Sequence, residues 1–119
     1  MLNLDSDYVH GRLGAEIAYT VAKNKLGLKG VVLEEISKGG KDLYTTDRTV
    51  VIQARFLTQT EYRSTKDVGG ILDAQLNDLV TKLRQDFDNN HSATSGYAVL
   101  SYVDNDGVLK TLVVEVGPR

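Results

Sequence analysis

The 119-residue chain predicts an α/β (α+β) domain: one mixed sheet flanked by helices, in the order helix, three strands, helix, two strands. Three observations predict it. Two segments carry apolar residues at helical spacing, five short runs are rich in β-branched and aromatic residues, and turn-forming clusters separate them. Elements of both kinds interleaved along one chain pack as layers on a shared sheet. No repeat, low-complexity tract or linker divides the sequence, so residues 1–119 form a single domain, long enough to bury its own core.

The first helix is expected over residues 10–26, HGRLGAEIAYTVAKNKL. There Leu13, Ile17 and Val21 recur every four positions, with Ala15, Ala18 and Ala22 as strong helix formers between them. Gly27 ends it, and Gly30 leads into the strand VVLEEI. After the loop SKGGK, the short strand DLY, the turn TTDR and the strand TVVIQARFL predict a β-hairpin. Residues 58–70, TQTEYRSTKDVGG, form a polar loop of the length that often serves function. The second helix, 71–87, carries the stripe Leu72, Leu76, Leu79 and Leu83, with Val80 and Phe87 beside it. The loop DNNHSATSG then leads into YAVLSYV, the turn DNDG and VLKTLVVEV, a closing hairpin.

Composition narrows the function. Charged residues at 25% and apolar residues at 41% belong to a globular domain. A net charge of −2 argues against a protein that wraps long stretches of nucleic acid. The charge is uneven, however. Residues 23–66 hold nine basic side chains against five acidic ones, a local excess of +4 that suits either a basic face or a mixed-charge solvated surface. The absence of cysteine excludes disulfides, thiolate nucleophiles and cysteine-built zinc sites. No apolar run approaches the roughly 18 residues of a membrane span, and the N-terminus lacks a basic segment followed by an apolar one. The expectation is a cytoplasmic protein with no membrane partner.

The strand TVVIQARFL poses the chemical question. Side chains alternate across a strand, so Val50, Ile52, Ala54 and Phe56 make a wholly apolar face, expected to lie under a helix. Val51, Gln53, Arg55 and Leu57 share the other, which puts an amide and a guanidinium side by side. If the turn centres on Thr46 and Asp47, Asp42 stands opposite Gln53. Glu16 sits at the edge of the first helix's apolar stripe, where a carboxylate is able to look across onto the sheet or out to water.

These residues resemble the PD-(D/E)XK nuclease superfamily, and within it the archaeal-type Holliday junction resolvases. GAEIA matches the helix glutamate, GKDLY the strand aspartate and VVIQAR the acid-x-lysine, over roughly residues 10–103. Two positions depart from the pattern: Lys41 stands where the proline is expected, and Gln53-x-Arg55 replaces acid-x-lysine. The resemblance implies a restriction-endonuclease-like core and a Mg²⁺- or Mn²⁺-dependent endonuclease acting on DNA, working as a homodimer. It assigns Glu16, Asp42 and Gln53 to the metal, Asp42, Gln53 and Arg55 to catalysis, and Gln75 on the second helix to support of the site. Gln53 offers a neutral carbonyl oxygen in place of a carboxylate, weakening the hold on a cation, with the Ala54 carbonyl as a further donor. Arg55 retains the positive charge toward phosphate but does not give up a proton. Lys41, Arg63 and Lys66 are candidate nucleic-acid contacts. The other reading left open is a non-catalytic nuclease-fold or unrelated α/β protein that acts by binding DNA or protein.

Other features carry less. Asp47 belongs to its turn, and Glu34 or Glu35 offers a further ligand only if it faces the polar side. DNDG lacks the distal glutamate of a calcium loop, KGGK lacks the spacing of a phosphate loop, and His10 and His91 have no partner at ligand spacing.

Overall fold

A computed structural model describes the backbone of residues 7–37, 40–57 and 68–118, and the side chains of 13–33, 43–57 and 70–118. Helix α1 (Asp7–Asn24) is followed by β1 (Val31–Ser37), β2 (Gly40–Thr45), β3 (Val50–Phe56), helix α2 (Val68–Asn89), β4 (Ser95–Val103) and β5 (Leu109–Val116). The five strands form one mixed sheet in the order β1-β2-β3-β4-β5. Only β3 and β4 run parallel, and the helix between them is the crossover that a parallel pair requires. The expected element order is observed, with both helices starting earlier than predicted. For α2 the reason is local: Gly69 and Gly70 occupy the first turn, where the backbone N–H groups lack helical partners in any case and glycine does little harm.

Both faces of the sheet are covered. On one, Ile52, Leu43 and Val99 pack under Ala15, Ala18 and Ala22 of α1. On the other, Val51, Leu57, Ala98 and Leu100 pack under Leu79, Leu83 and Phe87 of α2. The apolar face of β3 therefore lies under a helix as expected, and the Gln53–Arg55 face lies under a second one.

Helix α1 buries mainly small side chains. Ala15, Ala18, Val21 and Ala22 are buried, whereas Leu13 and Ile17 are half-buried at the flank. Small residues let the helix sit close to the sheet: a Cβ on Gly14 would come within 2.9 Å of the Phe56 nitrogen. Gly96 serves α2 in the same way, since a Cβ there would meet Leu83 and Phe87 at 3.1 Å. The DNDG segment is the tight turn between β4 and β5. Asp104 Oδ1 accepts from the N–H groups of Asp106 and Val108 at 2.9 and 3.0 Å, and Gly107 takes φ 79°.

Candidate functional site

Strand register sets out the site. Glu34 on β1 pairs with Asp42 on β2. The β2–β3 pairs are Leu43 with Ile52 and Tyr44 with Val51, and they end one step short of Asp42 and Gln53; on β4 the partner of Gln53 is Ala98. Glu34 and Asp42 thus face each other across β1 and β2, and Gln53 lies one step past the last β2–β3 pair. The side chains of Glu34, Lys41 and Asp42 fall outside the described residues, as do Arg63 and Lys66 altogether.

Gln53 is half-buried beneath α2, and its Nε2 donates to Asp86 Oδ2 at 2.8 Å. An ionised carboxylate only accepts, so this contact fixes which end of the amide faces Asp86 and turns Oε1 away from it. Anchoring the N–H₂ group to a negative charge also shifts electron density toward Oε1, making that oxygen a better ligand. Asp86 was not picked out by sequence reasoning, although a signal existed. It continues the spacing of Leu79 and Leu83 along α2, and a carboxylate on an apolar helical stripe calls for a partner across the interface.

Arg55 is half-buried two residues along β3, opposite Leu100. Gln75 lies eleven residues before Asp86 on α2. That places it on the same side of the helix but roughly 16 Å away along the axis. Its Oε1 is enclosed and has no hydrogen-bond partner among the described residues. The structure therefore brings Asp86, and not Gln75, to Gln53.

Glu16 lies elsewhere. It is exposed on α1, the helix that covers the opposite face, and with Leu13, Ile17, Thr20, Leu109 and Thr111 it lines an open groove beside β5. The structure does not bring Glu16 together with Gln53, because the sheet lies between them. Glu16 lies at the edge of the helix's apolar stripe, and only the docking of α1 decides which edge strand that side of the helix meets.

Among the described residues, no three His, Asp or Glu side chains gather as metal ligands. The Gln53 amide oxygen, held outward by the Nε2–Asp86 hydrogen bond, nevertheless suits a hard cation, and Asp42 precedes Leu43, the last β2 residue paired with β3. A groove of ≈ 140 Å³ opens beside this pair, lined by Tyr44, Arg48, Gln53, Asp86, Asn89 and Asn90 among others. A larger depression of ≈ 650 Å³ around Arg84, Asp88 and His91 sits at the end of α2. Its charged side chains are exposed and do not converge on Gln53.

Compared with protein-family models, curated proteins and solved structures, the chain matches none. Among the described residues, no helix is long and apolar enough to cross a membrane.

Proposed function

We propose that the row built from Asp42, Gln53 and Asp86 is the centre of a metal-dependent endonuclease acting on DNA. The observation that carries this reading is the Gln53–Asp86 hydrogen bond at 2.8 Å, made one step past the last β2–β3 pair, with Asp42 next to that pair on β2. It supplies a carboxylate to a row whose own strand offers only a neutral amide. Asp42 and the Gln53 Oε1 would hold Mg²⁺ or Mn²⁺, which would supply a more acidic coordinated water and offset charge on the phosphoryl oxygens. Asp86 holds the Gln53 amide in one orientation. The Arg55 guanidinium draws the phosphate toward the row and stabilises negative charge that develops on it. It does not act as a base.

The second reading is a nuclease-like protein that binds DNA without cutting it. It is favoured by the placement of Glu16, which leaves the row without a helix glutamate. Homodimerisation belongs to the proposal too, and the closing hairpin supports it. The exposed large apolar side chains among the described residues, Val108, Leu109, Val113 and Val114, all lie on β5 or the turn before it.

Titration calorimetry with Mg²⁺ and Mn²⁺, paired with cleavage assays on branched and linear DNA, tests the centre. Asp42→Ala is expected to abolish metal binding and cleavage. Asp86→Ala should weaken metal binding by about 10- to 100-fold, the usual effect of losing a ligand or the group that orients one. Glu16→Ala should leave it within twofold or so, since a carboxylate held outside the site adds only screened, long-range attraction. Wild-type protein that binds neither ion would reject the catalytic reading and leave the binding one.

A further inference from the structure

The β2–β3 turn holds an arginine in a backbone conformation that arginine disfavours. The turn is closed by the Arg48 N–H donating to the Thr45 carbonyl at 2.8 Å, and Arg48 takes φ 63°. That left-handed position in a hairpin normally falls to glycine or asparagine. A bulkier residue persists there only where its surroundings over-determine it, and such positions concentrate at functional sites.

The surroundings here do so. Asp47 Oδ1 accepts from Thr45 Oγ1 at 2.6 Å, from the Thr49 N–H at 3.1 Å and from Thr49 Oγ1 at 2.8 Å. Asn90 Nδ2 donates to the Arg48 carbonyl at 3.2 Å, and the N–H groups of Thr94 and Ser95 reach the Thr49 carbonyl at 2.7 and 3.2 Å. The tip of the hairpin is thereby fastened to the connection between α2 and β4.

The consequence lies in the side chain. The Arg48 guanidinium lies 3.9 Å from the centroid of the Tyr44 ring. Among the described residues it has no ion pair and no side-chain hydrogen bond, and it is exposed. That is stacking distance, and a guanidinium stacked on a ring keeps its N–H edges for a phosphate, which arginine grips through two parallel bonds. Arg48 and Tyr44 line the same groove as Gln53 and Asp86. Tyr44 stands two residues from Asp42 on β2, roughly 7 Å along the strand, comparable to the spacing of successive phosphates in a nucleic-acid strand.

We propose that Arg48, stacked on Tyr44, is a phosphate clamp for a DNA strand: it holds the backbone phosphate adjacent to the one presented to the Asp42–Gln53 row. This inference rests on the DNA reading of that row. It adds a contact that a lone basic residue in a turn does not reveal in sequence.

The test is fluorescence anisotropy of a labelled duplex and a labelled four-way junction in EDTA, over a salt series, so that binding is read without cleavage. Arg48→Gly removes the guanidinium and suits the left-handed backbone, and Arg48→Gln removes the charge while keeping a long polar side chain. Melting curves monitored by circular dichroism verify that both are folded. Each is expected to bind about five- to tenfold more weakly at low salt and to flatten the salt dependence by about one phosphate contact. Arg48→Lys should keep the salt slope and lose part of the affinity. Folded Arg48→Gly and Arg48→Gln proteins with wild-type affinity and slope would overturn the clamp while leaving cleavage at Asp42 standing. The expected loss of binding, in a wild-type protein that cuts no DNA, would support the clamp and reject the catalytic reading. A wild type that binds neither DNA overturns both.

Discussion

At the scale of single residues, the polar contacts of Asp47 set a pH dependence. Its carboxyl is held below its ordinary 3.8, first by the Thr45 hydroxyl, then by the backbone N–H and hydroxyl of Thr49. A group whose folded pKa is depressed contributes stability above its unfolded value and loses that contribution as pH falls through the folded one. The turn is therefore expected to weaken below about pH 3.8. Urea midpoints measured from neutral pH down into this range should fall, and Asp47→Asn should start lower and fall less steeply over the same window. The turn assignment of Asp47 was legible in TTDR. That the same turn would hold Arg48 left-handed against Tyr44 was not, because it depends on Asn90, Thr94 and Ser95, more than forty residues away.

At the scale of elements, the docking of α1 depends on the absence of a single methyl group. Alanine in place of glycine inside an exposed helix gains about 1 kcal/mol of helix propensity. At Gly14 the added Cβ would sit 2.9 Å from the Phe56 nitrogen and 3.1 Å from the Arg55 carbonyl carbon, and main-chain atoms do not swing aside as a side chain does. Overpacking of this kind costs about 1–3 kcal/mol, so the clash outweighs the propensity. Gly14→Ala should lose about 1–2 kcal/mol in urea unfolding; a more stable variant would show that α1 does not lie so close. The periodicity of Leu13, Ile17 and Val21 identified the helix correctly but not the face it buries. Alanines and Gly14 make the close contact, and the larger residues are turned toward the flank. For α2 the spacing of Leu79 and Leu83 indicated the buried side directly, since that helix packs through large side chains.

At the scale of the whole molecule, β5 is an open edge. Among the described residues its strand is paired on one side only, by β4, and Val113 and Val114 are each 38% exposed. Protein edges are usually blunted by charge, proline or bulges. Here Lys110 and Glu115 are the charges, at either end of the run LKTLVVEV. If a second chain covers this edge, sedimentation velocity will show a dimer, and Val113→Lys will convert it to a monomer with its thermal melt within a few degrees of wild type. A monomeric wild type would place the strand at the boundary of a self-sufficient domain. The α1 flank, with Leu13, Ile17 and Glu16, opens onto the same strand, so Glu16→Ala belongs with the edge in this experiment.

The sequence by itself determined the class of fold, the order of its elements, and the parity that puts Gln53 and Arg55 on one face of β3. These follow from rules acting over a few residues: the 3.6 and 2.0 periodicities and the chemistry of turns. Only the tertiary structure decided what stands opposite that face. The two helices described flank the sheet, and nothing local in Glu16 or Asp86 says which side each will occupy. The crossover from β3 to β4 lays α2 over Gln53 and presents Asp86 to it, while α1 takes the other side and carries Glu16 toward β5. Pairing between groups thirty-three residues apart is settled by how the layers pack, because burial rewards the face as a whole and individual polar groups take the partners that packing leaves them.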